Sequence, residues 1–134
     1  MLRFRKTNIV GYELLAGIIG ILQIRELFDT PVCIRHFIDS QPALHTIVKG
    51  SSRQQDLNCI TGALWYQAAG NMRHYWASYV RSEANVADGP SRRKFHMMKQ
   101  LQAREITFNY QRLCDAVETW MRMPRRFSLA LEER

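Results

Sequence analysis

The sequence predicts an α/β fold in which helices flank a central sheet. Segments with the length and composition of strands alternate with helical segments along the chain, which is typical of a sheet with helices on its faces. Apolar residues make up 46% of the 134 residues, enough to bury the core of one ordinary domain. In such sheets, active groups usually gather beyond the carboxyl ends of the strands.

The N-terminal part predicts a strand, a buried helix and a second strand. Residues 4–10 alternate loosely between polar and apolar types, as a strand does. Residues 12–28 are apolar nearly all round, which favours a helix buried against a sheet, and Gly17 and Gly20 would allow it to pack closely. Residues 32–38 (VCIRHFI) are rich in branched and aromatic side chains and have the length of a strand.

Two helices are predicted in the middle of the chain. Ser40 can cap the first, with Pro42 in its first turn and Gly50 at its end. Ser52 is the cap expected for the second, which covers residues 53–70. The apolar face of the second helix comprises Leu57, Ile60, Leu64 and Ala68.

The remaining third of the chain predicts one more strand and a helical end. Gly70 is expected to stop the preceding helix, and residues 72–80 form the next strand. A polar loop follows, then a basic helical segment from about Lys94 and an amphipathic helix over 109–123. The apolar stripe of this last helix comprises Tyr110, Leu113, Cys114, Val117, Trp120 and Met121.

Charge indicates the class of partner. Nineteen Lys and Arg against twelve Asp and Glu give a formal charge of +7, which favours polyanions such as nucleic acid. The apolar run near the N-terminus is interrupted by Glu13 and ends at Gln23 and Arg25, short of the ~20 apolar residues that a membrane span needs. We therefore expect no membrane partner.

The cysteines indicate the redox environment. Cys33, Cys59 and Cys114 are odd in number, widely spaced and set among apolar residues. We interpret them as buried thiols of a reducing, intracellular compartment, and the sequence does not distinguish nucleus from cytoplasm.

Three acidic residues lie at positions where a carboxylate has either a structural role or a metal-binding role. Glu13 lies in the apolar helix, where it would interact favourably with the helix dipole or bind a metal. Asp39 ends a hydrophobic strand, where it would cap the next helix or bind a metal. Asp88 lies in the polar loop before Gly89, where it would form a turn or bind a metal. Carboxylates that converge on one sheet edge from rigid elements suit a hard divalent cation.

With these motifs the sequence resembles the ribonuclease H superfamily, and within it the ribonuclease H domains of reverse-transcribing retroelements. The resemblance lies in YELLA with Glu13, FIDSQPAL with Asp39 and RSEANVADGPSR with Asp88, and it covers residues 4–95. In the family these acids are the glutamate of the first helix, the aspartate that closes the fourth strand and the aspartate near the start of the last helix.

The resemblance implies hydrolysis of the RNA strand of an RNA/DNA hybrid with two Mg²⁺ or Mn²⁺ ions. Glu13 and Asp39 would be ligands at the centre, and Asp88 would hold the metal that prepares the nucleophile. Several basic residues would touch phosphates or, alternatively, form an ordinary solvated face. These candidates are Arg53, Arg73, Arg92, Arg93 and Lys94.

The sequence also departs from the family pattern. The family has a fourth acid, an aspartate on its first strand, whereas no Asp or Glu precedes Glu13 here. We therefore expect an N-terminally truncated ribonuclease H-like domain over 1–95, impaired as a nuclease, and a basic helical extension over 96–134. Strand 32–38 would then present an open edge to a partner chain.

The alternative is an inactive basic module that binds nucleic acid or protein. Aromatic side chains would stack on bases in that case, although most of them are expected in the core. They are Trp65, Tyr66, Tyr75, Trp76 and Tyr79.

Overall fold

A computed structural model describes residues 9–123 of the chain. Within this range, six α-helices accompany a two-stranded parallel sheet, which confirms the mixed α/β class. The elements are α1 (Ile9–Leu27), β1 (Val32–Ile38), α2 (Gln41–Lys49), α3 (Gln55–Asn71), β2 (Met72–Tyr79), a 3₁₀ turn (Ser82–Ala84), α4 (Asp88–Ser91), α5 (His96–Gln100) and α6 (Tyr110–Met121).

Both strands of the sheet are confirmed where the sequence predicts them. They run parallel, from Val32 opposite Met72 to Ile38 opposite Tyr79, with α2 and α3 as the crossover. Because the strands are parallel, their carboxyl ends meet at one edge of the sheet. Asp39 follows β1 at that edge.

The predicted strand over residues 4–10 is wrong at its C-terminal end. Ile9 and Val10 form the first turn of α1, while residues 4–8 lie outside the described part of the chain. The helix extends back because these two side chains continue the apolar run of α1, and Val10 packs against the core. Within residues 9–123 the sheet therefore has two strands.

The two glycines of α1 differ in their surroundings. A Cβ built on Gly17 would lie 3.0 Å from both His36 Cε1 and Leu64 Cδ1, so this glycine does allow α1 to approach β1 and α3. A Cβ on Gly20 would meet nothing within 4 Å, and the predicted packing role of Gly20 is wrong. Gly20 lies on the solvent side of the helix.

The core lies between the helices and one face of the sheet. The apolar face predicted for α3 is confirmed, since all four of its members are buried. On α6 the buried residues are Ala116 and Val117, whereas Tyr110, Cys114 and Met121 are exposed. The predicted stripe is thus correct for Leu113, Val117 and Trp120, which pack in the core, and wrong for its other three members. The largest fully buried apolar side chains are Leu14, Ile18, Ile38, Ile47, Ile60 and Leu64.

The ends of the middle helices follow the sequence only in part. The Ser40 side chain accepts a hydrogen bond from the Ala43 N–H at 3.3 Å, and Gly50 closes α2 with φ 76°, as predicted. Ser52 is not the cap of α3, because that helix begins three residues later and the Ser52 hydroxyl accepts from the Gln54 N–H instead. Gly70 lies inside α3 rather than at its end.

The prediction of buried thiols is wrong for two of the three cysteines. Cys33 points from β1 into solvent and Cys114 lies on the exposed side of α6, while Cys59 is half-buried. Burial raises the pKa of the Cys59 thiol. Separately, none of the described helices has the length and hydropathy required to cross a membrane.

Candidate functional site

The candidate site lies at the carboxyl edge of the sheet. The Val80 N–H donates to the Ile38 carbonyl at 2.9 Å, so the two strands stay paired up to the point where Asp39 leaves the sheet. Glu13 of α1 lies close enough to Asp39 for the two carboxylates to interact electrostatically. The structure thus brings together two of the three acids that the sequence singles out.

Glu13 lies beyond the first turn of α1. That first turn contains no acidic residue, so the helix-dipole interpretation of Glu13 has little support. Burial, and to a lesser degree the nearby charge of Asp39, raise the pKa of the Glu13 carboxyl. A bound cation would relieve both effects, because it compensates the repulsion of two carboxylates in a partly desolvated place.

Asp39 is held by a side chain from the loop after β2. Its Oδ2 accepts a hydrogen bond from Asn85 Nδ2 at 2.9 Å. It does not cap α2, since Ser40 occupies the N-cap position and supplies the capping oxygen. The role of Asn85 was not predicted, because it lies 46 residues from Asp39 in the sequence and no local pattern links the two.

Asp88 is the first residue of α4, and its side chain pairs with a basic residue. Its N–H donates to the Asn85 carbonyl at 3.1 Å, which ties it to the loop that holds Asp39. Its carboxylate forms an ion pair with Arg92, with Oδ2 3.4 Å from Nε. Over residues 9–123, no group of three or more His, Cys, Asp and Glu side chains is arranged to hold a metal ion. The metal-binding role of Asp88 therefore stays a prediction.

The Glu13 and Asp39 carboxylates are chemically suitable ligands for a divalent cation. Glu13 and Asp39 offer oxygen ligands, which Mg²⁺ and Mn²⁺ prefer, on a helix and at a strand end. Both are half-buried, so the pair is accessible to an ion from solvent. Two carboxylates supply fewer protein ligands than the two-ion site that the family resemblance implies.

The predicted phosphate-binding residues fall into separate places. Arg92, Arg93 and Lys94 are exposed and follow directly on α4, beside the Asp88 end of the site. Arg53 is exposed in the loop between α2 and α3. Arg73 lies at the start of β2, the end of the sheet opposite Asp39. Six residues of strand, about 20 Å, separate it from that edge.

The aromatic candidates divide into packed and exposed side chains. The Trp65 indole N–H donates to the Ile47 carbonyl at 2.8 Å, and its ring meets Tyr75 edge-on with centroids 5.3 Å apart. The Tyr75 hydroxyl lies 2.6 Å from His36 Nδ1, and burial raises the pKa of Tyr75. Tyr66 packs against Trp120. Core packing therefore explains Trp65 and Tyr75. The expectation that most of the five aromatic residues lie in the core is wrong, because Tyr66, Trp76 and Tyr79 are exposed.

Three aromatic side chains of the sheet remain exposed. Trp76 keeps 67% of its surface in solvent and Phe37 keeps 53%. The sequence places Phe37 in a hydrophobic strand, and its exposure was not predicted. Arg35, two residues before it, lies on the same face of the strand and is also exposed. Tyr79 is 43% exposed at the end of β2.

No protein-family model, curated protein or solved structure matches this chain. The features that bear on function are the Glu13 and Asp39 pair, the basic segment after Asp88 and the exposed aromatic side chains of the sheet.

Proposed function

We propose that this chain is a retroelement-derived ribonuclease H-type domain that hydrolyses the RNA strand of an RNA/DNA hybrid. One observation carries the proposal: Glu13 and Asp39 interact at the carboxyl edge of a parallel sheet, the place where such folds gather active groups. The order of the three acids along the chain and the elements between them support it.

The roles of the residues follow from their positions. Glu13 and Asp39 would hold the divalent cation, and Asn85 would orient Asp39 through the hydrogen bond to its Oδ2. Arg93 and Lys94 would attract the phosphates of the substrate by charge, without reading its sequence. The chemistry supplied by bound Mg²⁺ or Mn²⁺ is activation of an attacking water and stabilisation of the leaving oxygen.

We expect the activity of the chain alone to be poor. The Asp88 carboxylate pairs with Arg92, so among residues 9–123 two of the candidate carboxylates interact where the resemblance implies a site of four. β1 has one strand neighbour within the described residues. Its other edge would accept a strand from a partner chain, and an acid on that strand would complete the site.

The test is hydrolysis of a labelled RNA/DNA hybrid with Mg²⁺ or Mn²⁺, beside single-stranded RNA and double-stranded DNA. We expect slow, metal-dependent cleavage of the hybrid only, lost in Asp39→Asn and Glu13→Gln and retained in the matched control Asp29→Asn, whose exposed acid lies outside the site. Rapid cleavage by the wild-type chain would contradict the expected impairment.

Metal binding gives a readout that does not depend on activity. Mn²⁺ should raise the unfolding temperature of the wild type and of Asp29→Asn, and should raise that of Asp39→Asn much less. An equal rise in all three proteins would show that the ion binds elsewhere. No rise and no cleavage would favour the alternative function, a module that binds nucleic acid without cutting it.

A further inference from the structure

One face of the sheet carries exposed aromatic and basic side chains. The register places Cys33 beside His74, Arg35 beside Trp76 and Phe37 beside Ser78. Because side chains alternate along each strand, these six project to the same side, which we call the outer face. The opposite side contains the buried Ile38 and the half-buried His36 and Tyr75, and it meets the helices.

The exposure of the outer face is unusual for a parallel sheet. Such sheets are normally covered on both faces, and tryptophan is normally buried over most of its surface. Trp76 and Phe37 are nevertheless 67% and 53% exposed. Arg35 and His74 are also exposed on the same face. A covering helix would have to bury these two polar side chains, so an apolar helix is a poor match for this surface.

The chemistry of the outer face suits unpaired bases and phosphates together. The Arg35 guanidinium carbon lies 5.7 Å from the centre of the Phe37 ring, and Arg35 is the register neighbour of Trp76. Neither strand contains an Asp or Glu. Aromatic rings that stack on bases, beside cations that attract the backbone, are the usual means of binding single strands.

The two rings are placed to act separately. Trp76 is opposite Arg35, and Phe37 lies two residues further along the neighbouring strand. With strands ~4.8 Å apart and a rise of ~3.3 Å per residue, their backbones are about 8 Å apart. Each ring can therefore take its own base. The bases of a duplex are stacked on one another and offer no such surface.

We propose that the outer face binds single-stranded nucleic acid, with Trp76 and Phe37 as stacking platforms and Arg35 as the phosphate contact. This inference goes beyond the nuclease proposal, since it requires neither the acids of the sheet edge nor a metal. It also explains a feature that packing does not, the exposure of a tryptophan in the middle of a strand.

Fluorescence anisotropy with a labelled 12-nucleotide oligothymidylate in EDTA tests the proposal on the full chain. Removing a stacking ring should weaken binding at least about fivefold in Trp76→Ala, whereas Trp76→Phe should retain most of the affinity. Arg35→Ala should also weaken binding and reduce its salt dependence. Tyr110→Ala and Arg104→Ala are matched controls, because both side chains are exposed on other parts of the surface.

The outcomes separate this proposal from the nuclease proposal. Asp39→Asn should leave oligothymidylate binding unchanged, so loss of cleavage and loss of binding are independent results. Failure of the wild type to bind, or equal losses in the control variants, would overturn the inference. So would a self-association that Trp76→Ala abolishes in sedimentation, because a second copy of the chain would then cover the outer face. Circular dichroism of each variant confirms that it is folded.

Discussion

Replacing Gly62 with alanine should weaken the docking of α6 on α3. A Cβ at this position would overlap the indole ring of Trp120, at its Cε2, Nε1 and Cζ2 atoms. The ring is half-buried and also packs against Tyr66, so it has to leave its place rather than rotate freely. The neighbouring Ala116 and Val117 are the residues through which α6 joins the core.

The change in the free energy of unfolding caused by Gly62→Ala is the sum of two opposing effects. Alanine is better than glycine in a helix interior by about 1 kcal/mol. Displacing a half-buried tryptophan exposes about 100 Å² of apolar surface, which costs about 2.5 kcal/mol. Gly62→Ala should therefore lower the free energy of unfolding by about 1.5 kcal/mol. In a Trp120→Ala background the overlap is absent, and the same substitution should stabilise by up to about 1 kcal/mol.

Urea denaturation followed by circular dichroism measures these differences. Gly70→Ala is the matched control in the same helix, because a Cβ there would meet nothing within 4 Å. It should be neutral or stabilising. If Gly62→Ala stabilised the protein as Gly70→Ala does, the close contact between α3 and α6 would be refuted.

Three further predictions concern pH and capping. Because burial and Asp39 raise the pKa of Glu13, its ionised form costs stability, so Glu13→Gln should raise the free energy of unfolding at pH 7 but not below about pH 4; an equal gain at both pH values would contradict this. Because burial lowers the pKa of His36, the unfolded chain takes up protons first as pH falls. The urea midpoint should therefore drop below about pH 6.5, more steeply than in His36→Gln. Ser40→Ala should cost about 1 kcal/mol in urea denaturation, and the exposed Ser51→Ala, as control, much less.

Features with a local cause could be predicted from the sequence. The branched and aromatic residues and the length of segment 32–38 place β1, and the 3.6-residue period places the buried face of α3. Ser40 and Gly50 mark the ends of α2 because capping depends on residues within one turn. Glu13 and Asp39 were identified as candidate acids from their sequence motifs, and in the structure the two side chains lie close together.

Contacts between distant parts of the chain required the tertiary structure. Asn85 and Asp39 are 46 residues apart, and no local pattern indicates that their side chains meet. Whether the Asp88 carboxylate binds a metal or pairs with Arg92 depends on how the loop after β2 leads into α4.

The sequence by itself determined the positions of β1, β2 and α2 and the buried face of α3, because composition, period and caps act over a few residues. The tertiary structure alone decided which side of the sheet the helices cover. As a result Cys33, Phe37 and Trp76 are exposed to solvent, although all three are apolar side chains within a strand. Burial depends on what packs against a residue from elsewhere in the chain, and the periodicity of a single strand does not contain that information.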